Sequence, residues 1–274
     1  MLVSHRRFSY CAKLLDRIRE VIHAHWRRVF QFAYRLLVDR DSATSIVEET
    51  FLRAYLGRSK MPPPQRVEQW LFRITAHVVA SRYGQSADVS FDLLDETLRS
   101  DATRTDVVRS LTGNERNFLL WELKQGCITA VVNCLPLGER EAFVLLQIMG
   151  LAEEDAADTL GISIGALKTR LLRARKKVAD YLSPRCEHVD PRNPCRCPSR
   201  LGIAISKGFL PSPSSSAVKL RPEFPQYFQS TETARRRDAM VMIQSLPEPD
   251  LPDDFPDRLF RLLDTGAWDR VKNA

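Results

Sequence analysis

"GEREAFVLLQIMGLAEEDAADTLGISIGALKTRLLRARKKVADYL", residues 138–182, decides how the rest of the chain is read. It divides into three helical segments: EREAFVLLQIM, the short AEEDAADTL, and a longer one that follows Gly161-Ile162-Ser163. Gly161 is free to take the left-handed conformation that helix ends need, and Ser163 is a good N-cap for the third segment. A short helix, a tight turn containing Gly and a longer helix make the helix-turn-helix pattern. In the third segment Leu167, Leu171, Ala174, Val178 and Leu182 fall on one apolar stripe at helical spacing. Thr169, Arg173 and Lys176 project from the opposite face, flanked by Arg170 and Lys177. In this geometry the recognition helix enters the major groove, with its first residues at base edges and its Arg and Lys side chains on phosphates. A merely solvated basic face is the plainer reading of such charges. The coincidence of turn, cap and face favours DNA.

Charge and composition agree. The chain has 274 residues, enough for two compact domains and their connectors, and a net charge of +7 that favours polyanionic partners. The charge is concentrated: from Lys168 to Arg185 seven basic residues face one acid, Asp180. The longest apolar run, FVLLQIMGLA at 143–152, is about half of the roughly 20 residues that a membrane span needs. The N-terminus lacks the apolar core of a signal peptide. The expected location is cytoplasmic, without membrane insertion.

Outward from the decisive stretch, the helical pattern continues on both sides. Residues 12–58 read as helix interrupted at DRDSAT, where Asp41 or Ser42 would cap the resumed segment; three successive prolines break the pattern at 62–64. In RVEQWLFRITAHVVASRYG, residues Val67, Trp70, Leu71, Ile74 and Val78 form one stripe, and Gly84 is a stop. Residues 85–115 lose that periodicity and read as a linker holding a single short helix. No long alternating stretch argues for a sheet. The expected fold is therefore all-α: two helical domains, 12–84 and 116–184, joined by the flexible linker 85–115. A Cys/His-containing loop, 185–210, and a partly disordered C-terminal extension with short helices, 211–274, complete the chain.

Both halves carry a resemblance. LGISIGALKTRLLRARKKVADYL resembles region 4 of bacterial sigma-70 sigma factors of the extracytoplasmic-function (ECF) group. FAYRLLVDRDSATSIVEETFLRAY resembles their regions 2.1–2.2, and RVEQWLFRITAHVVASRY their regions 2.3–2.4. The resemblance covers about 12–84 and 116–184, in the family's order. It implies an alternative sigma factor that binds core RNA polymerase and selects promoter DNA, with an anti-sigma factor as a further partner. By position, Glu48, Glu49 and Phe51 would lie on the surface that docks on polymerase. Trp70 matches the promoter-melting tryptophan, and Arg73, His77 and Arg82 fall on the helix that contacts the −10 element. Lys168, Thr169, Arg170 and Arg173 match −35 contacts, and the linker would thread toward the RNA exit path. Trp70 also lies on the apolar stripe, so core packing is an equal reading of it. The sequence departs from the family pattern at Thr44 and Ser45, where an acidic pair is usual. His77 and Ser81 stand where Asn and Asp are usual, and Ala156 where a larger aliphatic residue is. These departures leave a second reading open: a helix-turn-helix regulator that does not work with polymerase. No HExxH, no P-loop and no G-x-S-x-G is read in the chain, so an enzyme is not expected.

One stretch is unexplained by any of this. CEHVDPRNPCRC, residues 186–197, packs three of six cysteines and one of five histidines into twelve residues. Cys186, His188, Cys195 and Cys197 could close a tetrahedral site for zinc, or for copper, since soft thiolates with one imidazole suit both. A redox pair and an ordinary loop are the alternatives. Cys127 and Cys134, seven apart on one helix face, read as small core residues.

Overall fold

The computed structural model describes residues 2–37, 39–84, 90–99, 111–212, 239–244 and 254–264, and in these the regular elements are helices. The expected linker and C-terminal extension fall largely outside them, at 85–89, 100–110, 213–238, 245–253 and 265–274.

In the N-terminal part α1 (Leu2–Leu36), α2 (Arg40–Leu56) and α3 (Val67–Tyr83) pack on one another. Ile22, Val29, Phe32 and Leu36 of α1 meet Ile46, Val47 and Phe51 of α2 and Leu71, Phe72 and Val78 of α3, all buried. Each such side chain contributes roughly 1.5–3 kcal/mol on burial. Phe32 and Phe72 sit with ring centroids 5.1 Å apart. The break between α1 and α2 lies where the sequence puts it, but its cap is Asp39 rather than Asp41 or Ser42: the Asp39 carboxylate accepts the Ser42 N–H at 2.6 Å. Asp39 has the extended backbone an N-cap needs, whereas Asp41 is already inside the first turn.

The next elements are α4 (Phe91–Arg99), α5 (Gly113–Asn133), α6 (Leu137–Phe143), α7 (Glu153–Leu160), α8 (Ile164–Leu182) and α9 (Cys197–Ser206), with short α10 (Ala239–Gln244) and α11 (Phe255–Asp264) near the C-terminus. Thr112 and Glu115 form a reciprocal capping box that starts α5 three residues before the expected domain boundary. Arg140 is buried between α5 and α6, donating to the Asn133 side-chain oxygen (2.7 Å) and to the carbonyls of Asn133 and Leu135. These bonds satisfy the turn's orphaned carbonyls. After α6, residues Val144–Ile148 widen into a π-turn, with the Met149 N–H reaching the Val144 carbonyl at 2.8 Å.

The compact units do not follow sequence order. One comprises Met1–Ser86, Val144–Thr169 and Asp250–Ala274, the other Ala87–Phe143 and Arg170–Pro249. Bonds within each unit accompany this division. Within the first unit Arg28 donates to the Met149 carbonyl at 3.1 Å and Arg73 to the Asp158 carbonyl at 2.6 Å. Within the second, α4 leaves the linker to pack on α8: Asp95 accepts from Tyr181 (2.8 Å) and from Arg185 (2.9 Å), and the Phe91 and Tyr181 rings lie 4.9 Å apart.

Candidate nucleic-acid interface

The helix-turn-helix forms as its local chemistry dictates. Gly161 takes the left-handed conformation (φ 64°, ψ 34°) that ends α7, and Ser163 Oγ accepts the Ala166 N–H at 3.2 Å to cap α8. Residues 161–165, Gly-Ile-Ser-Ile-Gly, spell the G-x-S-x-G pattern of hydrolase nucleophiles, which corrects the expectation that the chain lacks it. That pattern needs a strand-to-helix elbow. Here it joins two helices and its serine is a cap.

On α8, Leu167, Leu171, Ala174, Val178 and Leu182 are buried, as the stripe requires. Lys168, Thr169, Arg173, Lys176 and Lys177 are exposed, and so is Leu172 among them. The charges are engaged to different degrees. Lys168 pairs with Glu153 at 2.9 Å and Lys177 with Glu139 at 2.8 Å; exposed pairs of this kind are worth at most about 1 kcal/mol and exchange readily for a phosphate. Arg170 is different: half-buried, its guanidinium lies across Gly138, where an added Cβ would stand 3.0 Å from Nη1, and its charge faces Glu141. It takes part in the packing of its own unit. Thr169 Oγ1 donates back to the Gly165 carbonyl at 2.9 Å and keeps its lone pairs outward.

On α3 the exposed positions are Arg73, His77, Ser81, Arg82 and Tyr83, the first three in line at i, i+4, i+8. Trp70 beside them is half-buried, its ring edge 3.9 Å from where a Cβ on Gly57 would stand, so it belongs wholly neither to the core nor to the surface. Two of the cations already hold carboxylates. Arg73 pairs with Asp158 at 2.9 Å, and Arg82 pairs with Glu49 and donates to Ser45 Oγ at 3.0 Å.

The Arg82–Glu49 pair overturns part of the expected docking surface. Glu49 is only 4% exposed, held by both Arg53 (2.6 Å) and Arg82, and Phe51 is fully buried in the three-helix core. Neither side chain can touch a partner. Glu48 stays accessible and meets Arg258 of α11 at 3.4 Å. Ser45, one of the positions where an acidic residue was expected, is the neutral side chain against which Arg82 rests.

The comparisons bear on all of this. A family model described as sigma-70 region 2 matches residues 21–88, and one described as sigma-70 region 4 matches residues 125–178. The ECF RNA polymerase sigma factor SigC of Mycobacterium tuberculosis is 31% identical over 151 residues, 55% of this chain and 72% of that one. The chain belongs to the ECF group of sigma-70 factors. It is an alternative sigma factor, a non-enzymatic factor that directs transcription initiation. Other relatives include the ECF sigma factor EcfG of Rhodopseudomonas palustris, 29% identical over 62% of this chain and 87% of its own length, and SigE of Mycolicibacterium smegmatis, 28% identical over 60% of this chain. This sigma factor spans 61% of that SigE's length. Among solved structures, the sigma factor RpoE of Bartonella quintana in complex with the anti-sigma factor NepR aligns over 60% of this chain and 95% of its own, at 21% identity and a TM-score of 0.41. No helix of the described residues is long and apolar enough to cross a membrane.

Outside the family's regions, the sigma factor gathers its cysteine stretch. Cys197 Sγ lies 3.4 Å from His188 Nε2, and Cys186 and Cys195 pair as an isolated β-bridge. Glu187, which the sequence reading passed over, joins His188 and Cys197 with donor atoms within 4.8 Å of one another. Cys134 is buried, as a small core residue should be. Cys127 is half-buried, and burial pushes its thiol up.

Proposed function

We propose that this sigma factor reads the −35 element with α8 and the −10 element with the Arg73–His77–Ser81 face of α3, and meets core polymerase through the exposed edge of α1 and α2. The observation that carries the reading is the division of α8: a fully buried apolar stripe behind a solvent face bearing Lys168, Thr169, Arg173, Lys176 and Lys177. Membership of the family removes the reason for a regulator that bypasses polymerase. Its place of action is the cytoplasm, where polymerase and promoters are.

The polymerase face is guarded in this proposal. Phe255 of α11 stacks on Trp26 (centroids 5.3 Å, 20°) and meets Phe30; Phe260 lies 4.9 Å from His23, and Arg19 pairs with Asp264 at 3.1 Å. Leu259 and Leu263 are buried beneath them, and Arg258 reaches Glu48. The α1 surface thus accepts an amphipathic helix. Core polymerase displaces α11 from it, and an anti-sigma factor uses the same seat. Equilibrium binding of the full chain to purified core polymerase tests this. Glu48→Lys should weaken core binding, and Phe255→Ala, which loosens α11, should strengthen it. Unchanged affinity in both variants would place the docking surface elsewhere.

A further inference from the structure

Beyond the end of α8 a short loop brings three unlike donors together. Glu187 and His188 lie on its first limb, and Cys197 returns to them at the first turn of α9. A carboxylate oxygen of Glu187, a ring nitrogen of His188 and the sulfur of Cys197 all stand within 4.8 Å of one another, and the three residues are half-buried. His188 Nε2 is 3.4 Å from Cys197 Sγ. A tetrahedral zinc ion with a thiolate at about 2.3 Å and an imidazole at about 2.0 Å separates sulfur from nitrogen by about 3.5 Å, so these two atoms already have the spacing of ligands.

The arrangement is held from outside. The Glu187 N–H reaches the Cys195 carbonyl at 3.2 Å and the Cys195 N–H the Arg185 carbonyl at 3.0 Å, which pairs the two limbs of the loop. Between the limbs Asn193 Nδ2 donates to the carbonyls of Ser183 (2.7 Å) and Cys186 (2.9 Å). Cys197 packs on the core of Phe118, Leu119 and Leu120 from α5 with Leu201 and Ala204 from α9. A site ordered before its ligand arrives binds at lower entropic cost. Glu187 Oε1 accepts the Cys197 N–H at 2.6 Å, an outer hydrogen bond of the kind that orients a ligating carboxylate. Its other oxygen, Oε2, pairs with the half-exposed Arg196 at 3.3 Å, a contact weak enough in water for a dication to replace.

We propose that Glu187, His188 and Cys197 bind one zinc ion, with water in its fourth position. A carboxylate, a thiolate and a neutral imidazole together balance the charge of a dication. One oxygen, one nitrogen and one sulfur suit borderline zinc better than Cu(I), which favours soft sulfur, or magnesium and calcium, which favour oxygen alone. On binding, Cys197 releases its thiol proton to solvent. Cys186 and Cys195, the other ligands expected from the sequence, are not among the donors gathered here. The ion ties the segment that leaves the recognition helix to the start of α9.

Zinc titration and cobalt(II) spectra of the full chain test this. Zinc should bind at one equivalent. Cobalt(II) should give the d–d bands of a tetrahedral site and a sulfur-to-metal charge-transfer band, and Cys197→Ser should remove that band entirely, because a single thiolate supplies it. Glu187→Gln keeps an oxygen for the Cys197 N–H but loses the charge, and should weaken zinc binding by at least about tenfold; His188→Gln should do the same. Cys186→Ser and Cys195→Ser should each leave affinity and spectrum unchanged. Far-UV circular dichroism shows whether each variant is folded, and the Glu187 and His188 variants decide the matter if Cys197→Ser is not. Absence of zinc uptake on titration overturns the proposal. So does zinc affinity unchanged in both Glu187→Gln and His188→Gln, or a charge-transfer band that survives in folded Cys197→Ser.

Discussion

Helices α2 and α8 are both charged and both were read from the sequence as partner-binding, yet they spend their charges differently. In α8 the buried stripe is one residue wide, and most of its basic side chains face solvent. In α2 the helix is packed on two sides by α1 and α3, so Ala43, Ile46, Val47, Glu49, Thr50, Phe51, Leu52 and Ala54 are all buried. A carboxylate on such a helix must find its cation inside the protein, and Glu49 takes two. What decides whether a charge is available to a partner is how much of its helix circumference the core claims.

The largest effect that could break this contrast lies at Glu49. Glu49→Lys should destabilise the protein by about 2–3 kcal/mol, because it puts a cation at a buried position beside the half-exposed Arg53 and Arg82, whereas Glu48→Lys should change stability by less than about 0.5 kcal/mol. Denaturant titration of the two variants distinguishes them, and equal stabilities would remove the distinction between the two positions.

A second buried carboxylate sharpens the point by its pH dependence. Desolvation pushes Glu141 up from 4.5 to about 7, despite Arg170 and Arg140 nearby. Between those values the unfolded chain has released the proton and the folded chain keeps it, so stability falls as pH rises through that window and levels off above it. Glu141→Gln should flatten the fall, which amounts to about 3 kcal/mol, in stability curves measured from pH 4 to 8.

On α8 the effect is smaller and appears in DNA binding rather than in stability. Replacing Arg173 and Lys176 by Ala should lower the slope of log affinity against log salt by about two units and leave the unfolding midpoint unchanged. Smallest of all is Asp158, which holds Arg73 of the −10 face through a half-exposed pair. Asp158→Ala should raise affinity for −10 DNA by no more than about fivefold, since such pairs are worth less than about 1 kcal/mol.

What the sequence made legible follows the same line. The turn at Gly161, the Ser163 cap and the α8 stripe are local, and all three could be read from a few consecutive residues. The all-helical class and the breaks at 37–39 and 57–66 followed from caps and prolines. What escaped was non-local. Glu49 looked like a surface acid because its partner Arg82 is 33 residues away, and nothing near Arg170 in the sequence announces that it lies over Gly138. The clustering of Val144–Thr169 with the first helices is likewise non-local: α3 packs on α7, and Arg28 and Arg73 bond to Met149 and Asp158.

The central claim is that two helices of one sigma factor carry the two promoter elements, and site-specific photocrosslinking tests it most directly. A photoreactive residue at position 173 or 176 and, separately, at position 77 would be incorporated into the full chain, assembled with core polymerase on a promoter. Crosslinks from 173 and 176 should map to the −35 region and those from 77 to the −10 region of the same DNA. Crosslinks from α8 that reach only polymerase subunits, or DNA crosslinks from both helices at a single element, would contradict the account.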